Sequence, residues 1–65
     1  MSKLKYAGMT ANERLFEARL IDEFDAAALG RDRARMVEIL RKVEMGEGAE
    51  NTADVILASP AKYGF

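Results

Sequence analysis

The stretch Asp32 to Gly46, DRARMVEILRKVEMG, constrains this chain more than any other. Met36, Ile39, Leu40 and Val43 recur three and four residues apart, and Val37 widens the stripe. That period sets apolar side chains on one face of an α-helix. Arg35, Glu38, Arg41 and Lys42 fall on the opposite side. Asp32 suits the start because its carboxylate can accept from a first-turn amide. Gly46 suits the end because glycine tolerates a left-handed backbone. Glu38 lies three and four residues before Arg41 and Lys42, an order that mildly supports a helix.

Such a helix needs an apolar partner, and the preceding segment supplies one. Thr10-Ala11-Asn12-Glu13 is a capping box: the Thr10 hydroxyl accepts from the amide of Glu13, and the Glu13 carboxylate reaches back to the amide of Thr10. The helix predicted from this cap runs to about Leu29, with Gly30 as its terminator. Phe16, Leu20, Phe24 and Ala27 form its main stripe, with Ile21 and Ala28 at the edge. Leu15, Ala18, Ala26 and Leu29 form a weaker stripe on the other side. A surface helix normally carries one stripe. The second is therefore the candidate surface for self-association, with the small alanines letting a neighbouring helix approach. The short Gly30-Arg31 connection favours an antiparallel αα-hairpin, with Phe16, Leu20 and Phe24 facing Met36, Leu40 and Val43.

Beyond Gly46-Glu47-Gly48, a shorter third helix is expected from Ala49 to Ala58, with Ala49, Thr52, Ala53, Ile56 and Leu57 sharing a face. Ser59-Pro60 ends it, because the residue before proline is pushed away from helical angles. The tail from Ala61 reads as too short for another element. Its Tyr63 and Phe65 either cover the open end of the bundle or dock on a partner. Residues 1–9 read as a flexible N-terminal arm and 10–65 as a single helical domain. The expected fold class is all-α: a small three-helix domain, an antiparallel αα-hairpin plus a shorter third helix. Two copies could dimerise into a four-helix core.

A chain of 65 residues is marginal alone. Domains of this size lean on disulfides, a metal, oligomerisation or helix packing. The chain has no cysteine and no histidine, so disulfides, thiolate ligands and imidazole ligands drop out. No apolar run reaches the length of a membrane span, and residues 1–8 lack the apolar core of a signal peptide. A cytoplasmic protein with no membrane partner is expected. Ten basic and eleven acidic residues give a net charge of −1, which supplies no broad attraction to nucleic acid.

The chemistry-bearing residues are few. Asp22, Glu23 and Asp25 cluster, but a hard cation needs more oxygen ligands than two adjacent acids. Glu13 and Glu17 lie one turn apart, and Glu13 already has a capping role. Ser2, Thr10, Thr52 and Ser59 have no evident activating base. No enzyme activity, metal or cofactor is expected. Arg31, Arg33, Arg35, Arg41 and Lys42 are the one basic concentration, interleaved with Asp32 and Glu38 and without an aromatic stacking platform. Read as a helix-turn-helix, the second and third helices would put Glu50 and Asp54 toward phosphates that repel them. The expectation is a small non-enzymatic protein-interaction module that self-associates as a homodimer, with another protein as the further partner. The alternative is a weak nucleic-acid or ribosome-associated accessory using the Arg31–Lys42 face.

Overall fold

A left-handed residue at Arg19, φ 61°, sets the architecture. A computed structural model describes Tyr6 and residues 8–65. They form α1 (Ala11–Glu17), α2 (Ile21–Leu29), α3 (Arg33–Lys42), α4 (Gly48–Ala58) and a closing 3-10 helix, Pro60–Tyr63. The fold is all-α, with no strand among the described residues. The Thr10–Glu13 capping box forms as expected, with bonds of 2.9 and 3.1 Å. The long helix expected to follow it is instead two helices.

The break is a Schellman motif. The Leu20 amide donates to the Leu15 carbonyl at 2.9 Å, and the Arg19 amide to Phe16 at 3.1 Å. These bonds satisfy carbonyls that a helix end leaves open. The same motif ends α2, where Asp32 donates to Ala27 at 2.8 Å, and α3, where Met45 donates to Leu40 at 3.1 Å. Their left-handed residues are Arg31 and Glu44, at φ 57° and 62°. α2 ends at Leu29 with Gly30 as its C-cap, as expected, whereas the glycine end expected for α3 is corrected. Gly30 has φ −83°, and Gly46, though left-handed at 56°, lies in the loop beyond α3. Asp32 both closes α2 and caps α3, accepting from the Arg35 amide at 3.1 Å.

The central helix is α3. Met36, Ile39, Leu40 and Val43 are completely buried, and Val37 nearly so, as their spacing predicts. Against them pack Ala49, Ala53 and Ile56 of α4, Phe24, Ala27 and Ala28 of α2, and Leu15 of α1. Alanines on α4 let that helix lie close to α3.

Breaking the first helix exchanges two side chains. Leu15, expected on the outer stripe, is 3% exposed and in the core, whereas Phe16, expected to face α3, is 75% exposed. The proposed self-association stripe therefore does not exist as one surface. Ala18 is half-buried, and Ala26 and Leu29 stay on the outside of α2.

With α1 this short, Arg14 reaches the end of α3. Its Nη1 donates to the carbonyls of Val43 and Glu44, at 3.2 and 3.0 Å, and its Nε to the Met9 carbonyl at 3.0 Å. A cation suits the negative end of a helix dipole. The guanidinium also lies 5.9 Å from the centre of the Tyr6 ring. Tyr6 is buried in the core, although the sequence assigns it to a loose arm. Residues 1–5 and 7 of that expected arm lie outside the described residues.

The tail, expected to form no element, makes the 3-10 turn. Pro60 fixes φ where a helix begins, and Gly64 turns left-handed at 89°. The Phe65 ring meets Phe24 edge-on at 6.4 Å between centroids. Among the described residues no helix is long and apolar enough to cross a membrane.

Candidate functional site

The α1–α2 elbow, α4 and the tail enclose an open groove of about 760 Å³. Its apolar walls come from Leu15, Ile21, Phe24, Val55, Ile56, Tyr63 and Phe65. Asn12, Asp25, Asn51, Thr52 and Lys62 bring polar groups to its edge. Two shallower hollows, of about 460 and 470 Å³, continue it past Ile21 to Phe16.

Each wall has a local cause. The turn at Arg19 lets α1 and α2 meet at an angle, so Leu15 and Phe24 serve one core. Val55 lies beside the buried Ile56 but one residue off the face that meets α3, and is 45% exposed. Pro60 and Gly64 bend the tail back, so Phe65 closes the far end over Phe24 while Tyr63 remains 44% exposed. Of the four large apolar side chains most open to water, Val55 and Tyr63 line the groove, and Phe16 lines the two hollows that share Ile21 with it.

The sequence singles out Tyr63 and Phe65 but not Phe16 or Val55. The signal for Phe16 was the pair of competing stripes on residues 11–29, which one straight helix cannot bury together. Val55 gave no signal, because one exposed valine on a short helix is unremarkable.

The basic residues are distributed differently. Arg33 makes a two-pronged bond to Asp54, at 2.6 and 3.2 Å, and lies 3.7 Å from Glu50. Arg35 bonds Glu38 at 2.7 Å and approaches Glu23 at 3.5 Å, and Arg41 bonds Glu50 at 2.8 Å. Hydrogen bonding to Arg33 holds the Asp54 carboxyl below its ordinary value, and the bond from Arg35 does the same for Glu38. The two arginines are raised in turn, each chiefly by its hydrogen bond to that carboxylate. Arg31 and Lys42 make no ion pair among the described residues. The expected basic face is therefore largely a set of clasps between α3 and its neighbours.

Of the acidic cluster, Glu23 is drawn toward Arg35 while Asp25 lies at the groove. No three acidic side chains converge on a common point among the described residues. The Thr10 hydroxyl and the Glu13 carboxylate are engaged in the helix cap. No known protein family matches the chain, and no characterised protein or solved structure is detectably similar to it.

Proposed function

We propose that this protein is a small non-enzymatic protein-interaction module whose working surface is the groove between the α1–α2 elbow, α4 and the tail. The observation that carries this reading is the apolar lining of that groove, with Val55 and Tyr63 exposed on its walls and Phe16 exposed in the two hollows beyond Ile21. A domain with so small a core gains stability from burying such side chains. Leaving three of them together at one surface is costly unless a partner covers them. A small molecule is a poorer fit, because ligand pockets enclose most of their ligand and two walls of this groove are nearly half exposed.

We also propose that the chain self-associates. The surface for this is the outer face of α2, where Leu29 is 65% exposed beside Ala26. The chain has no cysteine, which suits a reducing compartment, and we read the module as cytoplasmic. The nucleic-acid alternative is weaker, since carboxylates engage Arg33, Arg35 and Arg41.

The test compares wild type with Val55→Glu as bait in the host, after circular dichroism has matched their helicity. A discrete protein retained by wild type and lost by the variant is the expected outcome. Identical captures by both would end the groove reading. Light scattering on wild type and Leu29→Glu tests self-association separately. A dimer that the variant dissociates is expected, and a wild-type monomer at high micromolar concentration removes that part.

A further inference from the structure

We propose that the groove takes a basic amphipathic helix from a different protein. This rests on reading the groove as an interaction site.

The charge of the chain is partitioned. Every ion pair among the described residues is made by an arginine of α3. The carboxylates around the groove and its extensions are Glu13, Glu17, Asp22 and Asp25, and none of them has an ion-pair partner among the described residues. Glu13 accepts only from the Thr10 amide. The cations on the same surface are Arg19 and Lys62, so four negative groups stand against two positive ones. An apolar groove whose two extensions are rimmed by carboxylates complements a segment with an apolar face and basic flanks.

The occupant's backbone follows from the walls. They consist of helices and a 3-10 turn, and no strand edge is present among the described residues. An extended peptide would find no ladder to join. A helix satisfies its own amides and carbonyls and needs only an apolar trough, the helix-in-groove mode.

A second copy of this chain fits worse. A two-fold contact through the groove and its extensions brings together two surfaces that each carry four carboxylates against two cations. The basic face of the chain lies on α3, whose apolar residues Met36, Ile39 and Leu40 are completely buried and cannot enter a neighbour's groove. Nucleic acid would meet the same carboxylates with phosphates.

The probes are three fluorescein-labelled helical peptides of one length. They share a leucine and phenylalanine face and carry lysine, glutamine or glutamate elsewhere. Fluorescence anisotropy with the full chain should show the lysine peptide binding at least tenfold tighter than the glutamine peptide at low salt. That advantage should shrink in half-molar salt, as screening requires. The glutamate peptide should bind weakest. Glu17→Lys combined with Asp22→Lys should reverse the order, and both sites are exposed, so the fold should survive, which a melting curve checks. Val55→Gln, which removes an apolar wall and adds no charge, should weaken all three peptides. Equal binding of the lysine and glutamine peptides would overturn the basic partner and leave the groove reading standing. Binding of none, or binding indifferent to Val55→Gln, would overturn both. A dimer that Val55→Gln dissociates would make the second copy the occupant and also overturn the proposal.

Discussion

Arg14 donates from Nη1 to the carbonyl oxygen of Val43 at 3.2 Å, joining the first helix to the end of the third across 29 residues of sequence. Val43 is completely shielded from water, and its carbonyl lies past the point where α3 could satisfy it. Arg14→Ala should therefore leave a buried acceptor unpaired and lower stability by about 2–3 kcal/mol. Arg14→Lys should recover only part, since an ammonium is a point donor and cannot hold Met9, Val43 and Glu44 with a planar fork. Urea unfolding curves of both variants check this. An unchanged midpoint for Arg14→Ala would show that the brace contributes nothing.

Leu40 sits at the centre of the core with no exposed surface. Leu40→Ala should cost about 2–5 kcal/mol through lost burial and the cavity left behind. A domain this small has little more than that in hand, so a large unfolded fraction should appear in circular dichroism at room temperature. Lys42→Ala, at an exposed site outside both proposed surfaces, should stay within about 0.5 kcal/mol of wild type. Equal melting temperatures for the two variants would contradict the packing.

Glu44 holds a left-handed backbone that disfavours any side chain with a Cβ by about 1–2 kcal/mol. Glycine removes that cost and adds back about 0.5–1 kcal/mol of chain entropy. Glu44→Gly should thus raise stability by up to about 1 kcal/mol, or about 4–8 °C in melting temperature. Calorimetry that instead found a loss would mean the Glu44 side chain does something beyond occupying the turn.

Asp54 and Glu38 have folded-state values depressed mainly by hydrogen bonds from Arg33 and Arg35. The unfolded values lie at about 4. Their contribution to stability is therefore complete above that range and is lost as pH falls through the lowered folded values. Melting temperature should drop on acidification below about pH 4. Asp54→Asn should lower it at pH 7 and flatten part of the acid decline. Both groups are exposed, so salt should shrink the difference between variant and wild type. An acid decline identical in Asp54→Asn would remove this pair as its source.

The charged clasps show how much pairing a linear reading leaves out. Arg33 and Asp54 are 21 residues apart, and only the close packing of α3 on α4 brings them to 2.6 Å. In the sequence Arg33 counted toward a basic face, whereas in the fold it belongs to an interhelical bond.

The sequence by itself determined the all-α class, the capping box at Thr10, the buried stripe of α3 and the stop before Pro60. Each depends on neighbours within about one helical turn, where periodicity and side-chain chemistry act directly. Only the tertiary structure decided where helices 1 and 2 divide. Arg19, Arg31 and Glu44 have no intrinsic preference for left-handed angles. They adopt them because each turn lets the next helix return to the core around Met36, Ile39, Leu40 and Val43. The two stripes on residues 11–29 could not both be buried by a straight rod, and the break at Arg19 resolves them by sending Leu15 inward and Phe16 outward. The groove lies still further from the sequence. Its walls run from Leu15 to Phe65, and their meeting depends on the break at Arg19 and on the turn that Pro60 and Gly64 impose on the tail.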